Sequence, residues 1–414
     1  MTRLQQQGSS RIARLAGMAG LLILLTASPA PAQTFTVLHN FTGPDGMQPT
    51  AGLTMDRTGN LYGTASLGGY TGGHCYNGCG IVFKLTHQGS GWTLDPLHTF
   101  IGTDGALPQA RVIFGPDGNL YGTTTYGGIP GYGTIFRLQP PANACKTSLC
   151  PWRETVLYSF LGGNDGEYPQ YGDLVFDQAG NIYGTTWGGG SHEGFCTEYG
   201  CGTVFELSPS NGGWAESVLY RFQGNNDGEA PYAGVVFDTA GNIYGTTLVG
   251  GTGGEGTVYE LTPSASGWTE TILHNFGDGL DGGQPYGALI FDQSGNLYGT
   301  TSMGGSQGGG TVYQLTPSNG GWNFNALYSF NAYMGPLATL AMDASGRLYG
   351  TILIGSPEVF QLTLSNGQWT QTGFNGSAGD YPFGNLIFDA SGNLYSTANE
   401  GGTEGKGVVF EITP

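Results

Sequence analysis

Lysine and arginine are scarce in this chain, 12 in 414 residues against 30 aspartates and glutamates. A net charge of −18 repels nucleic-acid phosphates and anionic lipid, so neither is expected as a partner. Only 10% of the residues are charged, which excludes a charged disordered tail. After the first residues there is no helical period. There is also no apolar run long enough to span a membrane, and no C-terminal anchor is expected. No Ser-His-Asp pattern, nucleophile elbow, phosphate loop or dinucleotide fingerprint is present. No cofactor is expected.

The first residues are a separate matter. Arg3, Arg11 and Arg14 precede the apolar stretch Leu15–Ala27, and Ala30-Pro31-Ala32 is a small-x-small cleavage site. This pattern predicts a secretory signal over residues 1–32, with Gln33 first in the mature chain. Losing three arginines and no acid takes the net charge to about −21. The expected location is extracellular or periplasmic.

Six cysteines fall in three close pairs, Cys75 with Cys79, Cys145 with Cys150 and Cys196 with Cys201, each in a loop insertion of one repeat. In an exported chain they are read as local disulfides pinning long loops. Zinc is the rival, because His74 and His192 lie near two pairs. The spacing is not of the CxxC type and no second pair lies nearby in sequence.

Glycine is abundant, at 78 residues, and much of it belongs to one recurring phrase. It reads GNLYGTA at Gly59–Ala65, GNLYGTT at Gly118–Thr124, and GNIYGTT at Gly180–Thr186 and Gly241–Thr247. It returns as GNLYGTT at Gly295–Thr301, GRLYGTI at Gly346–Ile352 and GNLYSTA at Gly392–Ala398. A repeat of this length marks an array of one supersecondary unit. In the fourth copy, Val235–Asp238 is a short apolar run and Thr239–Asn242 a turn, with Asp238 placed to cap its amides. Ile243–Thr247, Thr257–Thr262 and Trp268–Phe276 are further strands. Four antiparallel strands in each of seven repeats predict a seven-bladed β-propeller over residues 33–414.

First strands are expected from Leu53, Val112, Leu174, Val235, Leu289, Leu340 and Leu386. Third strands are expected from Ile81, Thr134, Thr203, Thr257, Thr311, Glu358 and Val408. Only six fourth strands follow their tryptophans (Trp92, Trp152, Trp214, Trp268, Trp322 and Trp369), and the sixth, Trp369–Ser377, is degenerate. Thr36–Phe41 has the fourth-strand pattern but no preceding blade. It is expected to complete the last blade and close the ring, removing exposed edges. The Asp-Gly-x-x-Pro segments and Gly-Gly loops would then surround one mouth of the central channel.

The run Tyr-Ser-Phe (Tyr158–Phe160, Tyr328–Phe330), Asp-Gly-x-x-Pro, Leu289–Thr301 and Gly-Thr-Val-Phe/Tyr-x-Leu-Thr resembles the GloVer repeat family of Gloeobacter and Verrucomicrobia proteins. The resemblance covers essentially all of Thr36–Pro414. It implies an exported bacterial tandem-repeat protein and supplies no catalytic residues.

Positions that recur seven times build the scaffold, so chemistry must come from those that differ. Trp187 and Tyr126, with Tyr171, Tyr232, Tyr286 and Phe383, are the candidates for lining the mouth with aromatic faces. Such platforms suit sugar rings, and the alternative is that they cap the core below the loops. The loop aspartates (Asp45, Asp104, Asp165, Asp227, Asp281, with Asp380 a looser sixth) could ring the mouth and hold calcium, but capping their own turns explains their recurrence better. His39, His98 and His274 share a repeat position with tyrosines, so they are read as structural. Glu193, Glu198, Glu255, Glu400 and Glu404 are non-repeated loop carboxylates from which a hydrolase would have to draw its pair.

These residues favour a non-catalytic binding or adhesion module, with an extracellular polysaccharide or a surface protein as its ligand and a monomeric state. The competing class is a carbohydrate-active hydrolase or lyase working at the channel mouth. A deep pocket with two or three converging unique polar groups would mark the enzyme, and a shallow aromatic or acidic surface the binder.

Overall fold

The structure is a computed structural model. It describes residues 33–413 apart from 90, 142–150, 194, 197, 278, 333, 354–357 and 375–378. The expected signal segment lies outside the described residues.

Seven four-stranded antiparallel sheets follow one another along the chain. The first blade is Thr54–Met55, Leu61–Ala65, Ile81–Gln88 and Gly91–Thr99. The seventh is Ile387–Phe388, Leu394–Ala398 and Val408–Thr413, completed by Thr34–Asn40 from the other end of the chain. That last pairing runs from Thr34 opposite Thr413 to Asn40 opposite Val408, so the ring closes as the sequence predicts. The innermost strands are shorter than expected. Leu53 and Val112 are fully buried in the seams, and pairing starts one residue later, in strands of two residues. In the sixth blade, Gln368–Phe374 pairs without the register shift that interrupts the corresponding ladders elsewhere.

The recurring phrase is a capped turn. Asp56 accepts hydrogen bonds from the Thr58 and Asn60 amides, from Asn60 Nδ2 at 2.7 Å and from the Tyr62 hydroxyl at 3.1 Å. The same set recurs around Asp238, with Asn242 and Tyr244. Burial opposes the charge on Asp56, but these bonds win and hold its carboxyl down at about 2. The phrase's second glycine has a different role. A Cβ on Gly63 would lie 2.6 Å from Phe83 Cζ and 2.9 Å from Leu53 Cδ2. Gly63→Ala should therefore cost about 1–3 kcal/mol through overpacking, read as a lower urea midpoint.

The core is divided among the seams between blades. Phe100, closing the fourth strand of one blade, packs edge-on against Phe136 of the next at 5.1 Å. Phe41–Phe83, Phe160–Phe205, Phe222–Tyr259, Phe276–Tyr313 and Phe330–Phe360 repeat the contact. The tryptophans brace the same seams: Trp152 lies 6.0 Å from Tyr62 and Trp322 6.0 Å from Tyr244, each one blade back.

Two of the three expected disulfides are present. Cys75 bonds to Cys79 and Cys196 to Cys201, and their sulfurs belong to two seam clusters. The third expected pair, Cys145 with Cys150, lies in the segment 142–150 outside the described residues. The pairing of Cys150 with Cys145 therefore stays an expectation of the sequence.

Candidate functional site

Each blade enters its first strand through a short segment after the loop proline, and seven such segments converge on the axis. The first residue after the proline differs between copies: Thr50, Gln109, Tyr232, Tyr286, Leu337 and Phe383. The third copy carries one extra residue and places Tyr171 there. These side chains form the wall of a central cup of roughly 600 Å³, counting its open mouth. Tyr171 and Tyr232 stack at 4.8 Å, and Tyr286 meets Tyr232 edge-on at 5.1 Å. Thr125 Oγ1 donates to Gln109 Oε1 at 2.7 Å, and Gln109 Nε2 donates to the Tyr171 hydroxyl at 3.0 Å. Burial raises the Tyr232 pKa, as does the neighbouring Tyr171 hydroxyl, so the tyrosines stay protonated and able to donate.

The floor comes from the residue two positions before each first strand. Here the copies read Gly52, Arg111, Asp173, Gly234, Ala288, Thr339 and Asn385. Arg111 donates to Asp173 twice, from its amide and from Nε, each at 3.0 Å. Asn385 Nδ2 reaches Asp173 Oδ2 across the channel at 3.4 Å, joining the seventh blade to the third. Its Oδ1 accepts the Thr339 amide at 2.9 Å, and Thr339 Oγ1 accepts the Ala288 amide at 2.9 Å. Below this belt the channel is lined by aliphatic side chains such as Leu174, Val235, Leu289 and Leu386. Arg111, Asp173, Thr339 and Asn385 border both spaces, so the polar belt divides the channel into a cup and an apolar lower shaft.

Four of the expected aromatics, Tyr171, Tyr232, Tyr286 and Phe383, meet in the cup. Tyr126 and Trp187 do not line it. They flank Tyr168, whose ring lies 5.1 Å from Tyr126, 6.3 Å from Trp187 and 5.8 Å from Tyr132. Tyr199 lies 5.5 Å beyond Trp187. The loop glutamates do not join the cup either: Glu193, Glu198, Glu400 and Glu404 are outside its lining and Glu255 packs beside Gly283.

The loop aspartates are engaged with their own blades. His39, His98 and His274 contact Asp45, Asp104 and Asp281 at 2.9, 3.0 and 2.7 Å, on separate strands. The Tyr158 and Tyr220 hydroxyls donate to Asp165 and Asp227. Asp45 also accepts the Thr42 amide. Among the described residues, no three His, Cys, Asp or Glu side chains are arranged to hold a metal.

The residues that sequence reading missed are Gln109, Arg111, Asp173, Thr339 and Asn385, with Tyr132, Tyr168 and Tyr199 in the outer cluster. The signal for the belt was available. The residue two positions before each first strand changes between glycine, arginine, aspartate, alanine, threonine and asparagine, while the turn beyond the strand barely changes.

The architecture defines a seven-bladed β-propeller with a polar-floored cup on its axis. The chain belongs to the Gloeobacter/Verrucomicrobia repeat family, whose pattern matches residues 17–196 and 193–358. No curated protein sequence matches it. Among solved structures, it is similar to the extracellular domain of a candidate one-component system from B. thetaiotaomicron (10% identity, TM-score 0.55, 91% of this chain and 39% of that one). It is similar to PorZ, a surface component of the type-IX secretion system of Porphyromonas gingivalis (14% identity, TM-score 0.55, 91% and 48%). A candidate 6-phosphogluconolactonase from Bacteroides uniformis is also similar (16% identity, TM-score 0.52, 87% and 99%). At these identities the likeness is one of fold alone.

Proposed function

We propose that this chain is an exported, non-catalytic bacterial binding protein whose cup holds a sugar residue of an extracellular polysaccharide. The observation that carries the reading is the cup's construction. Stacked, hydroxyl-tipped aromatic rings stand over a floor that pairs a guanidinium, a carboxylate and an amide. Pyranose C–H faces stack on such rings, and Arg111, Asp173 and Asn385 offer donors and acceptors to hydroxyls. Two disulfides suit an oxidising compartment, and the N-terminal pattern supports export through a cleaved signal. Among the described residues no helix is long and apolar enough to cross a membrane.

The convergence of Arg111, Asp173 and Asn385 is what favours a catalytic alternative. Against it, Asp173 is the only carboxylate lining the cup among the described residues and is held by Arg111. Glycoside hydrolysis by paired carboxyls needs a second one.

The test is a glycan array with residues 33–414, followed by titration calorimetry and product analysis of each hit. A saturable, unprocessed hit is expected. Tyr232→Ala should weaken it by about tenfold or more, the scale of one lost aromatic contact. A hit that is cleaved, or one indifferent to Tyr232→Ala, would sink the reading.

A further inference from the structure

The seam between the second and third blades carries a feature the cup does not need. Tyr168 sits before Pro169 with a left-handed backbone, φ 59°. The equivalent residues Gln48, Leu107, Ala230, Gln284 and Tyr381 share that conformation, so the loop imposes it on whatever residue stands there. In the third copy it places a tyrosine ring among Tyr126, Tyr132 and Trp187, with Tyr199 beyond. The surrounding backbone is locked. The Tyr168 amide donates to Tyr132 O at 2.9 Å, the Trp187 amide donates to Tyr168 O at 3.1 Å, and the Gly189 amide donates to Tyr199 O. The Cys196–Cys201 disulfide closes the loop that carries Tyr199. Tyr126 is 43% exposed and Tyr199 47%, so the cluster is not consumed by packing on itself.

The cluster is continuous with the cup. Thr125, next to Tyr126, is tied through Gln109 to the Tyr171 hydroxyl on the cup wall. The ring cluster thus adjoins the cup wall over one seam, and among the described ring contacts the other seams have no counterpart. Its polar surroundings are acidic. Glu198 raises the pKa of the neighbouring Tyr199 hydroxyl, and Glu167 lies beside the rings, its pKa raised by burial and partly offset by His192. No lysine or arginine belongs to the cluster. Four of its five rings carry hydroxyls, which suits a hydroxylated ligand better than an aliphatic one.

We infer that this cluster is a second binding subsite, and that the cup and the cluster together take a linear, uncharged oligosaccharide rather than a single sugar. The inference rests on the sugar-binding reading of the cup. One end of the chain seats over the Arg111–Asp173 floor, and later residues lie against Tyr126, Tyr168, Trp187 and Tyr199. The acidic border turns away uronate-bearing polymers.

The experiment compares disaccharides and hexasaccharides of the cello, laminari, xylo and manno series by calorimetry, with a hexagalacturonide as the anionic probe. The best neutral hexasaccharide should bind about tenfold tighter than its disaccharide, or better. Tyr126→Ala/Tyr199→Ala changes two half-exposed rings and should spare the fold, as thermal melting would verify. It should erase that gain and leave disaccharide affinity unchanged, whereas Tyr232→Ala weakens both. Equal affinity for the two lengths, an unaltered gain in the double variant, or preference for the hexagalacturonide overturns the second subsite and leaves the cup standing. Absence of binding to every sugar overturns both.

Discussion

Removal of Thr34–Asn40 should leave a protein that no longer behaves as a stable monomer. These residues supply the seventh blade's outer strand, and the last two, His39 and Asn40, pair with Val409 and Val408. The next residue, Phe41, is fully buried against Phe83 of the first blade at 5.3 Å. Phe41→Ala alone should cost about 3–5 kcal/mol. Loss of the strand adds an exposed edge along Val408–Thr413 and opens the seam around Leu38, Leu53 and Val409. Against a typical net stability of about 5–15 kcal/mol, the sum approaches complete unfolding, and an open β-edge promotes association. Size-exclusion chromatography and thermal melting give the readout, with Phe41→Ala as the milder variant. A truncated protein that stays monomeric with an unchanged melting curve would refute closure by this strand.

Stability should fall as pH rises from about 5 to about 8. Four glutamates on or near the seams hold protons in the folded state. Burial, then the charge of Asp165, lifts Glu216 to about 8, with Arg221 pulling the other way. Burial, then Asp227, lifts Glu270 to about 8, against the hydrogen bond from Tyr220. Burial lifts Glu154 to about 7, with His98 opposing and Asp104 reinforcing, and lifts Glu358 to about 7 together with Asp380. In the unfolded chain these groups release their protons near 4.5. Between about 4.5 and 8 the folded state therefore binds more protons than the unfolded state, and stability declines across that window before levelling off. These sites are partly open to solvent, and after allowing for screening each contributes roughly 1–2 kcal/mol. Asp45 and Asp56, both held near 2, act in the opposite sense and only below about pH 4. Urea midpoints at about pH 5.5 and 8.5 measure the difference. Glu216→Gln/Glu270→Gln should raise the midpoint at the higher pH and shrink the gap between the two. A gap that survives intact in the double variant would move the linkage to other groups.

Much of this was legible in the sequence because the repeat states it seven times. Asp238 could be read as a turn cap from one copy, and the tryptophans as seam residues from their spacing. The closing role of Thr36–Phe41 follows from a count that lacks one strand. Side chains that meet across the channel are a different matter. Asp173 and Asn385 lie on the third and seventh blades, and no local pattern links them. The aromatic positions were visible, but not their division between two sites. That division depends on loop geometry: Trp187 turns to Tyr168 while Tyr171 turns to the axis. Glu154, Glu216 and Glu270 each stand two residues after a seam tryptophan. The alternation of a surface strand makes such a residue look solvated, and only the neighbouring blade's Asp104, Asp165 or Asp227 shows otherwise.

The pairing of Thr34–Asn40 with Val408–Thr413 also dictates the order in which the molecule can be made. Every other strand pair is a local hairpin, whereas this one joins residues more than 360 positions apart. By loop-closure entropy it costs roughly 3 kcal/mol more to bring together than a dozen-residue loop. Contact order thus places six blades early and the seventh last. Until then Thr34–Asn40 is an orphan and the last sheet lacks its outer member. At high concentration during refolding, the strand of one molecule can fill the gap in another, so a domain-swapped dimer is the expected by-product.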